Sequence, residues 1–492
     1  MGEIRFVDTT LRDGQMSLWA TGMRTGMILP ITTRMDQAGF EAIEIIASAF
    51  FKKCIRDLRD DPWERLRLVA RRITKTPLRA IRTRHMAAFQ ITPPSVAGLW
   101  LERLAANGVR QVRISDPSNT PSNWQEMVRA AREVGLETIV NLIFSISPKH
   151  TDEYYAQKAR AAAKLNVFRI CLKDPGGLLT PERTRSLVPV VLENTDGINV
   201  ELHTHCNTGL GALCCLEAIQ SGIHSINTAI PPLANGSSNP SLFNVAMNAR
   251  ALGHATLIDE KVIHPVADHF TSIAKREGLP LGKPLDYDSY HLIHQVPGGM
   301  ISNFRYQLSR LGMENRLEEV LEETGRVRAE FGYPIMVTPY SQFVGTQAVI
   351  NVILGERYKE VTDEVIQYAL GFWGEEESSS MEALVRDRIV SRPRGKELAR
   401  WEPPQMSLRE LRQKLGAPGI SDDELLLRYF AGKDDVAAMR AAPPPVEYGS
   451  AGPSLVSLVK NLTERKNCRR IYIQKDGLTL RLEKKEKPLR AS

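Results

Sequence analysis

Nowhere do the 492 residues contain a run of about eighteen apolar residues, so no membrane-spanning helix is expected. Cysteine is scarce, six in the whole chain with Cys214 and Cys215 adjacent, which does not suit a disulfide framework and points to a reducing compartment. The first residues lack the charged-then-apolar pattern of a secretory leader and enter strand-like sequence at once. Zinc-finger, RNP and helix-turn-helix signatures are missing as well, so the net charge of +7 does not point to nucleic acid. That excess sits in one place. From Lys460 to Ser492 there are eleven Lys and Arg against four Asp and Glu, which reads as a solvated face or a docking surface for an acidic partner. These absences leave a cytoplasmic globular protein of ordinary composition, 42% hydrophobic and 25% charged, as the expectation.

What is present is an alternation of short β-rich runs and longer amphipathic stretches over residues 1–260. The β candidates are Ile4–Asp8, Ala42–Ile46, Leu78–Arg82, Gln111–Ile114, Thr138–Phe144, Phe168–Leu172, Ile198–His203 and His224–Thr228. Helical stretches such as Asn123–Val134, Glu153–Lys164 and Pro181–Glu193 lie between them. The last follows Thr180, with Pro181 at the first helical position. Eight strands alternating with helices suggest an α/β fold, a (β/α)8 TIM barrel, rather than an open doubly wound sheet. No GxGxxG follows the first strand, which weighs further against a dinucleotide fold.

Residues 261–440 read as a mostly helical domain packed on one end of the barrel, with segments near Val262–Glu277, Met300–Leu311, Arg316–Phe331, Thr362–Leu370 and Ser380–Ile389. Residues 441–453, rich in Pro and Gly, read as a linker. Residues 454–492 then form a small basic tail: a helix over Ser454–Glu464 and two runs, Arg470–Gln474 and Leu478–Leu482, joined at the hairpin signal Asp476-Gly477.

Three strand ends carry chemistry. Strand one runs into Asp8-Thr9-Thr10-Leu11-Arg12-Asp13-Gly14, and residues past a barrel strand's C-terminal end line the mouth. The Arg12–Asp13 pair offers a carboxylate for a cation, or a salt bridge closing the barrel end. Strand seven ends in His203-Thr204-His205, whose imidazoles share one face and can converge with Asp13 on a transition metal. Paired surface histidines are the plain alternative. Lys173 ends strand six; an ammonium cannot bind a metal, but a lysine carbamylated by CO2 offers an anionic oxygen. A Lys173–Asp174 surface pair is the other option.

With these motifs, and with Pro297-Gly298-Gly299-Met300 and Val337-Thr338-Pro339 following in order, the chain resembles the carboxyltransferase subunits of biotin-dependent enzymes: pyruvate carboxylase, oxaloacetate decarboxylase and transcarboxylase. The resemblance covers residues from about Ile4 to about Gly374. It implies that Asp13, carbamylated Lys173, His203 and His205 hold a divalent metal, zinc first, with manganese or cobalt as alternatives. It further implies that Thr338 shuttles a proton and that Arg82 pairs with the substrate carboxylate. The chain contains no Met-Lys-Met biotinylation motif, so biotin is expected on a separate polypeptide. The implied partners are a biotin carboxyl carrier protein and a biotin carboxylase subunit, in a homo-oligomer of two or more copies.

Departures from the family pattern bear on the acceptor. Gly14-Gln15-Met16-Ser17 replaces the family's Ala-His-Gln-Ser, which puts Met16 where a substrate-facing Gln is expected, unless a one-residue shift lets Gln15 fill the place. Phe89 stands where the family has Tyr, and Tyr340 and Gln342 break its Val-Thr-Pro-Ser-Ser-Lys run. Loss of hydrogen-bonding groups from a pocket can redirect specificity. The acceptor is therefore expected to be pyruvate- or oxaloacetate-like, or an atypical relative. The rival readings are a metal-dependent aldol or Claisen enzyme of the same barrel superfamily, and a non-catalytic carboxylase subunit.

Overall fold

The computed structural model describes residues 2–86, 91–296, 304–306, 308–310, 312–402, 405–416, 419–448, 470–475 and 478–483. Eight parallel strands appear in the expected places, with bounds within two residues of those read from the sequence: β1 Glu3–Asp8, β2 Ala42–Ala47, β3 Leu78–Thr83, β4 Gln111–Ser115, β5 Glu137–Ile143, β6 Arg169–Asp174, β7 Val200–Thr204 and β8 Ser225–Thr228. Each pairs with the next, and β1 pairs with both β8 and β2, so the sheet closes. β2, β4, β6, β7 and β8 are buried along their whole length, as strands covered by helices outside and side chains inside must be. The helix Pro181–Glu193 starts as expected, with Thr180 Oγ1 accepting from the Arg183 amide at 3.1 Å.

The barrel interior departs from the usual layers of branched aliphatic side chains. Arg113 on β4 reaches Glu44 on β2 at 2.9 Å and also pairs with Glu201 on β7. Arg79 on β3 bonds the same Glu201 at 2.8 Å, and Arg169 on β6 bonds Glu41 at 2.6 and 2.7 Å. All these carboxylates are matched by guanidiniums, the arrangement that makes buried charge tolerable. The stack ends directly beneath the mouth, where Arg12 bonds Glu44.

Buried residues of segment 260–440 divide between two cores. The helix Glu260–Glu277 packs into the barrel core. The helices Leu317–Glu330, Tyr340–Leu354, Asp363–Ala369, Ala383–Val390 and Pro393–Leu398 build a second core around Phe331, Phe343, Tyr368 and Trp373. The helices Leu408–Lys414, Asp422–Ala431 and Lys433–Arg440 return to the barrel, where Phe430 meets Phe51 with ring centroids 4.9 Å apart. Of Met300–Leu311, residues 304–306 and 308–309 are described and helical.

The Pro-rich segment is docked over its described length, as far as residue 448. The Tyr448 amide donates to Gly26 O at 2.9 Å, Glu447 pairs with Arg72 at 2.6 Å, and the Arg276 guanidinium lies 4.6 Å from the Tyr448 ring centroid. The helix expected at Ser454–Glu464 and the Asp476-Gly477 turn lie outside the described residues. The two runs beside that turn form an antiparallel pair, Arg470–Lys475 with Leu478–Glu483. Among the described residues no helix is long and apolar enough to cross a membrane.

Candidate active site

β1 delivers Asp13 through a tight turn. Thr10 Oγ1 donates to Asp8 Oδ1 at 2.5 Å and accepts from the Ile230 amide at 2.8 Å, tying the turn to the chain after β8. Gly14 is needed next, since a Cβ there would lie 2.8 Å from Leu233 O. Asp13 then projects over the barrel axis, buried, with Arg12 Nη1 2.8 Å from its Oδ2.

Across the mouth stand His203 on β7 and His205 just past its end, both buried. Their Nε2 atoms are 3.3 Å apart and lie 2.9 and 3.4 Å from Asp13 Oδ2. A four-coordinate cation with nitrogen and oxygen ligands at about 2.0–2.1 Å would space those atoms about 3.3–3.4 Å apart. The three donors therefore already stand at the vertices of one face of such a polyhedron, and they are the set of metal-capable groups found among the described residues.

The surroundings set the protonation this chemistry requires. His205 Nδ1 donates to Ser237 O at 2.7 Å, leaving Nε2 as the lone-pair atom facing Asp13. His203 Nδ1 faces Asn227 Oδ1 at 3.0 Å, and Arg113 Nη1 approaches the same nitrogen at 3.2 Å. Burial, with Arg113 and Lys173 nearby, pushes His203 down to about 3, against the pull of Asp13. Burial would raise the Asp13 carboxyl, but Arg12 and the two imidazoles hold it well below the usual carboxylate range. A carboxylate at Asp13 and a neutral imidazole at His203 suit a divalent ion.

Lys173 on β6 is in register with His203 on β7 and 9% exposed. Burial and the nearby Arg12 and Arg113 bring its ammonium down to about 8, with Asp13 opposing. Arg82 ends β3 buried, its Nε and Nη1 without hydrogen-bond partners. Burial lowers it to about 10, with Glu126 opposing. It makes no described contact with the Asp13–His203–His205 group.

Thr338 lies exposed just before the helix Tyr340–Leu354. That region seats on the mouth through Tyr340 to Ser118, Arg84 to Trp373 O at 2.7 Å, and Lys149 to Glu377 at 3.4 Å. Gln15 is fully buried, with Oε1 accepting from the Met23 amide at 3.3 Å and Nε2 unpartnered, whereas Met16 is 37% exposed. Phe89 and the Pro297–Met300 motif lie outside the described residues.

Several side chains at the mouth were not singled out from the sequence. Asn239 Nδ2 donates to Thr204 O at 2.8 Å and approaches His203 Nε2 at 3.3 Å, while its Oδ1 accepts from Thr9 Oγ1 at 2.7 Å. With Asn227 and Ser237 it comes from β8 and the loop after it. A place at or just past a barrel strand end was the available signal.

A family model described as HMGL-like matches residues 3–269, and one described as a conserved carboxylase domain matches residues 292–434. The chain is 38% identical over 374 residues to a pyruvate carboxylase subunit of Methanocaldococcus jannaschii, covering 75% of this chain and 66% of that one. It is 34% identical to the 2-oxoglutarate carboxylase large subunit of Hydrogenobacter thermophilus, covering 76% and 57%. It is 30% identical to the methylmalonyl-CoA carboxyltransferase 5S subunit of Propionibacterium freudenreichii subsp. shermanii, covering 93% and 90%. The fold matches the carboxyl transferase domain of Rhizobium etli pyruvate carboxylase, solved with pyruvate, at a TM-score of 0.79 and 22% identity, over 97% of this chain and 83% of that one. The chain belongs to the carboxyltransferase family of the biotin-dependent carboxylases.

Proposed function

We propose that this chain moves a carboxyl group between carboxybiotin, carried on a separate protein, and the enolate carbon of a 2-oxo acid. The observation that carries the proposal is the Asp13–His203–His205 triangle at the barrel mouth, with Lys173 in register beside it. Similarity to chains named for pyruvate and 2-oxoglutarate carboxylases supports a 2-oxo acid as acceptor.

Asp13, His203, His205 and Lys173 as its carbamate would hold a divalent ion, zinc in the first place. Bound there, such an ion would supply Lewis acidity that stabilises an enolate. Arg82, with two unpartnered donors on a buried guanidinium, binds the acceptor carboxylate. Thr338 Oγ1 carries the proton between the acceptor carbon and the donor's ureido nitrogen. Depressed to about 8, Lys173 presents enough neutral amine near physiological pH to take up CO2. The working assembly joins this chain to a biotin carboxyl carrier protein and a biotin carboxylase subunit in the cytoplasm, as a homo-oligomer, and the basic tail beyond the docked segment contacts those partners.

The test is discharge of labelled carboxybiotin from its carrier by this chain. Label should pass to pyruvate, 2-oxoglutarate or a close 2-oxo acid. If no 2-oxo acid is carboxylated while the carrier still binds, the chain is a non-catalytic subunit instead.

A further inference from the structure

We infer that the Tyr340 hydroxyl, paired with Ser118 across the boundary between the helical region and the barrel, positions Thr338 at the mouth. This rests on the proposed role of Thr338 as the proton carrier.

Tyr340 is the first residue of its helix and stands two residues after Thr338. It is fully buried, so it cannot touch an acceptor and acts only through its neighbours. Its hydroxyl donates to Trp373 O at 2.8 Å and makes a short hydrogen bond with Ser118 Oγ, in the loop after β4. The same Trp373 carbonyl accepts from Arg84 Nη1 at 2.7 Å, and Arg84 follows Arg82 by two residues. One buried node thus ties the Thr338 segment to the ends of β3 and β4, and through β3 to Arg82. The backbone closes tightly around it, since a Cβ on Gly374 would sit 3.0 Å from Ser118 Oγ.

At position 340 this chain has tyrosine where the family run that its sequence resembles has serine. A tyrosine reaches further and brings a rigid ring. That ring is held independently by Phe343 and Tyr368, with centroids 5.4 and 5.5 Å away. Removing only the hydroxyl therefore leaves the ring packing in place while releasing the tie to Ser118 and Trp373. A shift of about 1 Å in a reacting group can cost about a hundredfold in rate, so the node sets how well Thr338 works rather than whether the chain folds.

The test uses the full chain assembled with its biotinylated carrier, comparing Tyr340→Phe, Ser118→Ala, the double substitution and Thr338→Ala. Tyr340→Phe and Ser118→Ala should each lower kcat by about tenfold or more, with the acceptor KM and the metal content within about twofold of the unsubstituted chain. The double substitution should be no worse than the more damaging single one, because both remove one shared bond. A kcat within twofold of the unsubstituted chain in both singles, alongside an inactive Thr338→Ala, overturns the positioning role and leaves the Thr338 assignment standing. Full activity in Thr338→Ala removes the proton carrier itself, and the positioning role with it.

Discussion

Lys173 and His203 are register partners on adjacent strands, and that pairing puts a lysine of depressed basicity beside an imidazole kept neutral by burial. Neither property follows from residue type alone. Both come first from burial and then from the cations buried alongside: Arg12 and Arg113 act on Lys173, and Arg113 and Lys173 act on His203.

The first expectation concerns metal. Purified protein should carry about one divalent ion per chain, and His203→Ala or His205→Ala should each strip most of it, as measured by elemental analysis. Because Asp13 is a carboxylate and His203 a neutral imidazole well below pH 7, neither has to lose a proton to bind the ion at neutral pH. Full occupancy after both His substitutions would show that the triangle is not the binding site.

Lys173 supplies a pH dependence of its own. Carbamate forms from the neutral amine, and with Lys173 lowered to about 8 about a tenth of it is neutral at pH 7, rising as pH passes through 8. Incubation at pH 6 without CO2 should therefore inactivate the enzyme slowly, and bicarbonate at pH 8 should restore it. Lys173→Ala should lose metal and activity together. A crystal structure, or 13C NMR after exchange with 13C-bicarbonate, that finds no carbamate on Lys173 in fully active, metal-loaded enzyme would rule it out.

The strand pattern was legible in the sequence because each barrel strand is a short β-rich run between helical stretches. The convergence of Asp13, His203 and His205 was legible because the two histidines are spaced i, i+2 at one strand end. What the strands enclose was not. Arg79, Arg113 and Glu201 alternate along their strands with apolar residues, a pattern that equally describes a solvent-facing side, and only closure of the barrel turns that side inward. Contacts such as Tyr340 with Ser118 join residues 222 positions apart, and no local periodicity encodes them. The return of helices 408–440 to the barrel was equally out of reach, because an apolar helix face does not say which core it fills.

That interior carries a stability prediction. Burial would raise the Glu201 carboxyl, but Arg79, Arg113 and Arg169 hold it well below the usual carboxylate range. A carboxyl whose folded value is depressed stabilises the fold above its unfolded value, near 4.5, and loses that contribution as pH falls toward the folded one. Glu201→Gln leaves the guanidiniums of Arg79 and Arg113 short of a countercharge and should cost roughly 3–5 kcal/mol. Denaturant unfolding at pH 7 measures it. A loss below about 1 kcal/mol would mean that the interior rearranges or hydrates to compensate.

Thr338 should behave as a proton carrier with no packing role, since its side chain is exposed. Thr338→Ala should abolish carboxyl transfer with unfolding midpoint and metal content unchanged, and Thr338→Ser should keep a substantial share because the hydroxyl remains. General acid–base groups contribute about a hundred- to ten-thousandfold, so the loss in Ala should fall in that range. Equal rates in Ala and the unsubstituted chain would take Thr338 out of the mechanism.

The last expectation is about which 2-oxo acid is preferred, and it turns on neighbouring residues with opposite environments. Met16 reaches solvent at the mouth, whereas Gln15 is buried with Nε2 unpartnered. A thioether in place of a donating amide leaves the polar end of a small acceptor without a partner, at a cost of about 1–3 kcal/mol. Phe89 likewise lacks the hydroxyl of the tyrosine that the family pattern has at that place in the sequence. A 2-oxo acid that brings more apolar surface should therefore be carboxylated better than pyruvate. Met16→Gln and Phe89→Tyr should be made together, because neighbouring contacts do not add, and the pair should raise kcat/KM for pyruvate relative to the native acceptor by about tenfold or more. Gln15→Ala separates the remaining possibility. If Gln15 already supplies the missing donor after a one-residue shift, that substitution alone will collapse pyruvate turnover, and the double substitution will change nothing. Rapid carboxylation of pyruvate by the unsubstituted chain, unaffected by Gln15→Ala, would show that neither residue governs the choice.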